Sequence, residues 1–334
     1  MQERYLQITD SASGLEKRRV LNMKKKYFYP NPDEFYGVYY PNPRPCQRAV
    51  IIMLGDSTED HMVISGVKWL HERDCNVMAM SPNPDKKDYG YHDYPLEWIG
   101  RAVERLKTFE NRRIGIVGAS TTGMVALVSA SLFPDITLTI AMTPPDFVME
   151  GFIRDGKDGA EERPSDGSSL SWQGNPLPYL PYAYRHPEYW QHIKDDSRAG
   201  GDRIASRSMF EESERRHSVR EEEKISVENI KGRLVFVGAK DDALWDTCKY
   251  IRRMMKRLDT LPHDSKADAL LYEHGTHFVF PESMLRKMLP IGTGLLIRLM
   301  FKAGREYPRA CRQTRVDIDQ KLSEIIKTWG DHLQ

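Results

Sequence analysis

A serine between an apolar run and a small-residue run is the residue in this sequence best placed to do chemistry. Residues 114–117 are apolar, the chain turns at Gly118-Ala119-Ser120, and small residues continue to position 130. A strand, a tight turn with serine at its tip and then a helix is the layout of a nucleophile elbow. We therefore predict that Ser120 is a nucleophile, which competes with the simpler interpretation of an ordinary loop serine.

A serine hydroxyl attacks only when a base accepts its proton, so a histidine and an acid must accompany Ser120. Behind a nucleophile elbow the chain order is nucleophile, acid and histidine. Asp241 and Asp242 follow the predicted strand 234–237, and His274 and His277 follow the predicted strand 269–272. Since carboxyl ends of parallel strands meet at one edge of a sheet, these side chains can converge on Ser120. Counting from the end of the predicted strand 234–237 favours Asp241. Spacing alone leaves the choice between the two aspartates open.

Stabilising the anion formed by such an attack requires two N–H donors. Thr121 follows the nucleophile at a helix N-terminus and is the first candidate. The second should come from the loop after the strand 49–54, where we predict Asp56, with Ser57 as the next choice. The alternative is that this loop is a plain turn.

The elements that must position these residues alternate between strands and helices. Continuous apolar runs predict strands buried on both faces, and apolar residues at spacings of three and four predict amphipathic helices. Predicted strands cover residues 49–54, 75–80, 114–117, 135–142, 234–237 and 269–272, and predicted helices cover residues 60–72, 95–109, 121–130, 246–258 and 317–329. This alternation predicts an α/β fold with a mostly parallel central sheet flanked by helices.

The alternating pattern breaks between about residues 146 and 225. Within it, residues 172–190 are dense in proline and aromatics, and residues 206–224 are highly charged and predicted to be helical. We predict that 146–225 is a lid-like insertion whose aromatics either line a substrate pocket or pack it onto the body. No linker divides the chain, so we expect residues 1–334 to form a single domain in which residues 1–45 supply antiparallel strands of the sheet.

The composition is that of a globular protein. Of the 334 residues, 40% are hydrophobic and 29% charged, and the net charge of +1 gives no reason to expect nucleic acid or a membrane as partner.

The four cysteines form no C-x-x-C pair, so we expect no disulfide framework, no zinc site and a reducing compartment. The charged N-terminus predicts a cytoplasmic protein without a signal peptide. No metal-binding or dinucleotide-binding spacing is present, so we expect neither metal nor cofactor. The oligomeric state stays open.

Several segments resemble the C-terminal catalytic domain shared by acyl-CoA thioesterases and bile acid-CoA:amino acid N-acyltransferases. They are Pro95-Leu-Glu-Trp98, Pro176-Leu-Pro-Tyr-Leu-Pro181, Ile225-Ser-Val-Glu-Asn-Ile-Lys-Gly232, Asp241-Asp-Ala-Leu-Trp245 and Tyr272-Glu-His-Gly-Thr-His277. The resemblance covers about residues 45–330 and implies an α/β-hydrolase fold. The family's Asp-Asp-x-x-Trp pattern implies Asp242 as the acid, and its Gly-x-His pattern implies His277 as the base. The family's elbow has glycine at the position of Thr122, where a β-branched residue predicts a steric cost.

The resemblance implies a serine hydrolase that cleaves a thioester or an ester, with acyl-CoA among its small-molecule substrates, through a Ser-His-Asp triad and an acyl-enzyme intermediate. In this family the hydrolases use serine and the amino-acid transferase uses cysteine, so Ser120 favours hydrolysis. The alternatives are a carboxylesterase or peptidase with the same residues, an N-acyltransferase, and a catalytically silent binding protein of the same fold.

Overall fold

The computed structural model of the protein describes residues 25–54, 57–81, 91–154, 162–290 and 292–329. The strands in these ranges are β1 (Lys26–Phe28), β2 (Gly37–Tyr40), β3 (Arg48–Met53), β4 (Asn76–Met80), β5 (Tyr94–Pro95), β6 (Arg113–Ala119), β7 (Ile136–Met142), β8 (Glu150–Ile153), β9 (Arg163–Ser168), β10 (Leu170–Trp172), β11 (Asn175–Pro176), β12 (Gly232–Ala239) and β13 (Ser265–Tyr272).

The helices are α1 (His61–His71), α2 (Glu97–Thr108), α3 (Thr121–Leu132), α4 (Glu188–Gly200), α5 (Arg207–Arg216), α6 (Thr247–Thr260), α7 (Glu282–Met288), α8 (Thr293–Met300), α9 (Lys302–Glu306) and α10 (Pro308–Thr328). A short helical turn at Pro30–Asp33 and 3-10 turns at Glu221–Glu223 and Val227–Asn229 complete the described elements. In the part of the chain that the structure describes, no helix is both long enough and apolar enough to cross a lipid bilayer.

The central sheet has the strand order β1-β2-β4-β3-β6-β7-β12-β13. Strand β2 is antiparallel to both β1 and β4, and the pairs from β4 to β13 are parallel. Because parallel strands need crossover connections, helices lie between them along the chain and cover the faces of the sheet. This strand order, with one reversed strand near one edge, confirms the predicted α/β-hydrolase fold.

The strand β3 illustrates why the central strands read as continuous apolar runs. Ala49, Ile51 and Met53 pack into one hydrophobic cluster, and Val50 and Ile52 pack into a second. Successive side chains of a strand point to opposite faces, so each face of the sheet carries its own core. A strand buried on both faces has no polar position to interrupt the run, which is what the sequence predicted.

Four of the helices near the C-terminus differ from the sequence prediction. The closing helix α10 begins at Pro308, nine residues before the predicted start, because proline is favoured in the first turn of a helix. Helices α7, α8 and α9 were not predicted, since they are short and their charged and apolar residues show no long periodic pattern. Residues 1–24 lie outside the described residues, and β1 and β2 are the antiparallel strands of the predicted N-terminal segment.

The segment 146–225 contains β8 to β11, α4 and α5. Its aromatic rings pack against one another: Phe152 contacts Tyr182, Tyr189 and Trp190, with ring centroids 5.3, 5.4 and 6.5 Å away. The carboxylate of Glu150 is fully buried, accepts the Tyr182 N–H at 2.7 Å and forms an ion pair with Arg185. These contacts favour the packing interpretation of the aromatic residues, whereas the action of the segment as a lid stays a prediction.

Candidate active site

Ser120 occupies a sharp turn between β6 and α3. Its backbone has φ 61° and ψ −130°, outside the regions that a non-glycine residue prefers. The Ser120 N–H donates to Met142 O at 2.8 Å, and the Ser120 carbonyl accepts the Gly123 N–H at 2.9 Å. These two hydrogen bonds hold the turn in its strained conformation. Strained backbone of this kind is often found at functional sites.

The steric pressure of this turn falls on Gly118. A Cβ added there would lie 2.0 Å from the Thr122 carbonyl oxygen, which no side chain can tolerate. The atoms that such a Cβ would meet belong to the backbone of Thr122, in the first turn of α3, and the steric cost of the Thr122 side chain stays a prediction. Glycine two residues before the serine is what this elbow requires.

Thr122 instead makes polar contacts that a glycine could not make. Its buried hydroxyl accepts the Ala119 N–H at 2.8 Å and lies within hydrogen-bonding distance of the carbonyl oxygens of Met53 and Ala119. Since a hydroxyl has one hydrogen, it donates to one of these carbonyls at a time. The contact to Met53 ties the elbow to the end of β3.

Asp242 and His277 form a buried pair. The Asp242 carboxylate oxygens lie 3.0 and 2.9 Å from His277 Nδ1, and both side chains are almost fully buried. Asp242 also accepts the Leu244 N–H at 2.9 Å and the Thr247 hydroxyl. With its carboxylate held by these donors, Asp242 fixes the orientation of the imidazole and favours the tautomer with hydrogen on Nδ1.

Asp241 has a different set of contacts from its neighbour. Its Oδ1 accepts the N–H groups of Gly275 and Thr276 at 2.9 and 2.8 Å, and its Oδ2 lies 3.2 Å from His274 Nδ1. The imidazole of His274 stacks on the ring of Tyr307, with centroids 3.9 Å apart. Asp241 thus holds the loop that carries His277, and Thr276 in that loop has a left-handed φ of 63°.

Trp245 connects the histidine to the strand next to the elbow. Its indole meets the His277 ring edge to face, with centroids 4.9 Å apart, and its Nε1–H donates to Thr143 O at 3.1 Å. Thr143 directly follows Met142, whose carbonyl accepts the Ser120 N–H. Sequence reasoning used Trp245 only as a landmark of the family pattern, and nothing in the spacing of Thr143 or Thr247 pointed to the site.

His277 Nε2 faces away from Asp242 and is the atom that could act as a base. It is buried, and within the described residues no atom hydrogen bonds to it, Ser120 included. The structure therefore brings Asp242 and His277 into contact and shows no hydrogen bond between His277 Nε2 and Ser120. In unliganded enzymes such contacts are often long and tighten in the complex with substrate.

The two predicted N–H donors have different outcomes. Thr121 is the first residue of α3, so its N–H has no acceptor within the helix and lies next to Ser120. The prediction at Asp56 falls outside the described residues. Ser57, the second choice, is described, and its hydroxyl accepts the Glu59 N–H at 3.1 Å.

The cysteines offer no rival nucleophile among the described residues. All four are free thiols, and burial raises the pKa of Cys75 to about 12 and the pKa values of Cys248 and Cys311 to about 11. Burial also raises the pKa of Cys46. At neutral pH these groups are protonated and poorly nucleophilic. In the described ranges no three His, Cys, Asp or Glu side chains are arranged to hold a metal ion.

A family model described as "BAAT / Acyl-CoA thioester hydrolase C terminal" matches residues 94–284, more than half of the chain. The match includes the elbow, Asp242 and His277. None of the curated protein sequences matches this chain significantly.

Solved structures of low sequence identity resemble the chain, and esterases are among them. An esterase of Pyrococcus furiosus is 15% identical, covers 91% of this chain and 96% of its own, and has a TM-score of 0.45. An esterase of Pyrobaculum calidifontis is 14% identical, with 98% and 94% covered and a TM-score of 0.46. The protein Est1E of Butyrivibrio proteoclasticus is 13% identical, with 82% and 98% covered and a TM-score of 0.42. The assignment of the fold depends on the strand order and not on these distant likenesses.

Proposed function

This chain belongs to the BAAT and acyl-CoA thioester hydrolase C-terminal family, and on that premise we propose that it is a serine hydrolase of acyl thioesters and esters. The observation that carries the proposal is the buried Asp242–His277 pair, whose second imidazole nitrogen is left without a partner among the described residues. A buried nitrogen of this kind is suited to accept a proton from a hydroxyl brought to it.

In the proposed reaction His277 Nε2 accepts the proton of the Ser120 hydroxyl while Ser120 Oγ bonds to the acyl carbonyl carbon. Asp242 stabilises the imidazolium that forms. The Thr121 N–H donates to the carbonyl oxygen, which becomes an anion, and we propose the Asp56 N–H as the second donor. The imidazolium then protonates the leaving thiol or alcohol as its bond to the acyl carbon breaks.

The second half of the reaction uses the same residues with water. His277 accepts a proton from water, whose oxygen bonds to the acyl carbon of Ser120, and the bond to Ser120 Oγ breaks as His277 returns the proton. The products are a free carboxylic acid and regenerated serine. Hydrolysis is favoured over transfer to an amine because position 120 is serine and the four cysteines are thiols of raised pKa.

The experiment is a substrate panel with purified protein. Acyl-CoAs of graded chain length are assayed for released thiol, p-nitrophenyl esters for released phenol, and glycine or taurine is added to look for amide products. We expect release of coenzyme A or phenol together with free acid, and no amide. Formation of amide in preference to free acid would overturn the proposal of hydrolysis. If folded protein turned over none of the substrates, the proposal of an enzyme would be overturned.

The compartment is part of the proposal as well. Cys46, Cys75, Cys248 and Cys311 are all unpaired in the structure, which suits a reducing compartment such as the cytoplasm.

A further inference from the structure

Positive charge is concentrated near the C-terminus of the chain. Residues 282–316 contain eight Lys or Arg and two Glu, a net charge of +6, whereas the whole chain has a net charge of +1. The rest of the chain therefore carries a net charge of −5. A local excess of this size produces a potential that attracts anions, although the protein as a whole is nearly neutral.

The helices formed by residues 282–316 line a cavity of about 370 Å³, here named the arginine pocket. Its polar lining includes Glu282, Arg286, Arg298, Arg312 and Arg315. Sites for small ligands typically have volumes of about 300–1,000 Å³. The pocket is large enough for a small organic anion.

The arginines of the pocket outnumber the acid that faces them. The carboxylate of Glu282 accepts Nε–H groups from Arg286, Arg312 and Arg315 at 3.2, 3.3 and 2.9 Å. One carboxylate neutralises one of the three guanidinium groups, so a charge of +2 remains. In the described part of the chain, no protein acceptor takes the Nη groups of Arg286 and Arg312.

Burial divides the pocket into a fixed wall and accessible arms. The side chain of Arg315 is 3% exposed and that of Glu282 is 9% exposed, whereas Arg286 and Arg312 are 55% and 59% exposed. The buried Arg315–Glu282 pair anchors the site. The exposed guanidinium groups present their free Nη donors to a ligand that enters from solvent.

We propose that the arginine pocket binds the phosphate group of a phosphorylated small molecule. The planar fork of a guanidinium group matches the tetrahedral oxygens of phosphate with two parallel hydrogen bonds. The guanidinium groups of Arg286 and Arg312 share one carboxylate and can bind a phosphate between them. The phosphate then replaces solvent at their Nη groups. The positive end of α8, whose first residues line the cavity, adds to the same potential.

Two sources of phosphate fit this chemistry. One is the nucleotide portion of coenzyme A, in which case the pocket belongs to the proposed thioesterase function. The other is a free phosphorylated metabolite unrelated to the acyl substrate. The phosphate site itself does not depend on the proposed function, since it is argued from the arginines alone.

Calorimetric titration of the full chain with pyrophosphate, and separately with coenzyme A, tests the proposal. The test variant is R286Q/R312Q, which keeps the buried Arg315–Glu282 pair. The matched control is R101Q/R112Q, which removes the same charge from exposed arginines elsewhere on the surface. Thermal melts verify that each variant is folded.

We expect pyrophosphate to bind the wild type and the control alike, and to bind R286Q/R312Q at least about tenfold more weakly, as loss of charge-assisted hydrogen bonds implies. Coenzyme A that competes with pyrophosphate would identify the first source of phosphate, and pyrophosphate binding without coenzyme A binding would identify the second. If the wild type did not bind pyrophosphate, or if both double variants bound it equally more weakly, the proposal that the arginine pocket binds phosphate would be overturned. Because binding is measured without turnover, failure of the proposed hydrolysis would leave this result unaffected.

Discussion

The indole of Trp245 meets the imidazole of His277 edge to face, with ring centroids 4.9 Å apart and ring planes 84° apart. The same indole donates to the carbonyl of Thr143, the residue after the strand β7 that adjoins the elbow. Trp245 thereby joins the histidine loop to the part of the sheet that holds Ser120. The position of His277 is thus determined by Asp242 at one nitrogen and by the indole of Trp245 against its ring.

Replacing Trp245 should separate its two contacts. Trp245→Leu removes both the ring contact and the hydrogen bond, and we expect kcat to fall by up to about a hundredfold, as misplacement of a catalytic group by about 1 Å implies. Trp245→Phe keeps an aromatic ring at His277 and should lose less. Steady-state kinetics with a p-nitrophenyl ester measures both variants. A folded Trp245→Leu protein with wild-type kcat would refute a positioning role.

The two neighbouring aspartates should differ in their effect on the rate. Asp242→Asn places an amide against His277 Nδ1 and favours the wrong tautomer, so we expect kcat to fall about ten-thousandfold. Asp241→Asn affects only the loop around Gly275 and Thr276, and about a tenfold loss is expected. Equal losses in the two variants, measured at the same pH on folded proteins, would reject the assignment of Asp242.

Thr122 should matter through its hydroxyl and not through its shape. Thr122→Val keeps the β-branch but leaves the buried Ala119 N–H without its acceptor, and about 1–3 kcal/mol of unfolding free energy should be lost. Thr122→Ser keeps the hydroxyl and serves as the control, with stability and kcat/KM close to those of the wild type. Denaturant unfolding compares the variants, and valine and serine variants of equal stability would show that the hydroxyl contacts contribute nothing.

Alkylation of the cysteines should spare the activity. Burial raises the pKa values of Cys248 and Cys311 to about 11. At pH 8 about one in a thousand of such thiols is ionised to the thiolate. Below its pKa the thiolate fraction, and with it the alkylation rate, rises about tenfold for each pH unit. Iodoacetamide at pH 8 should therefore leave ester hydrolysis intact in the folded protein. Loss of activity in proportion to the modification of one cysteine would point to a thiol nucleophile.

Local patterns in the sequence predicted much of this structure. The strands of the sheet and the helices α1 to α3 and α6 follow from apolar runs and periodic spacing, because burial on both faces leaves a clear pattern. Spacing could not decide between Asp241 and Asp242. The fold of the loop after β12 determines which of the two aspartates contacts His277. The family resemblance supplied that choice. Thr143 and Thr247 acquire their roles only through contacts between distant parts of the chain, which no local pattern records.

The most direct measurement of the central claim is covalent labelling of Ser120 by a fluorophosphonate probe, with the modified peptide identified by mass spectrometry. The probe reacts with a serine that an adjacent base activates. We predict one label per chain on Ser120 in the wild type, none in a folded Ser120→Ala protein, and much slower labelling in Asp242→Asn. Labelling that persists in Ser120→Ala, or its absence from folded wild-type protein, would contradict Ser120 as the nucleophile.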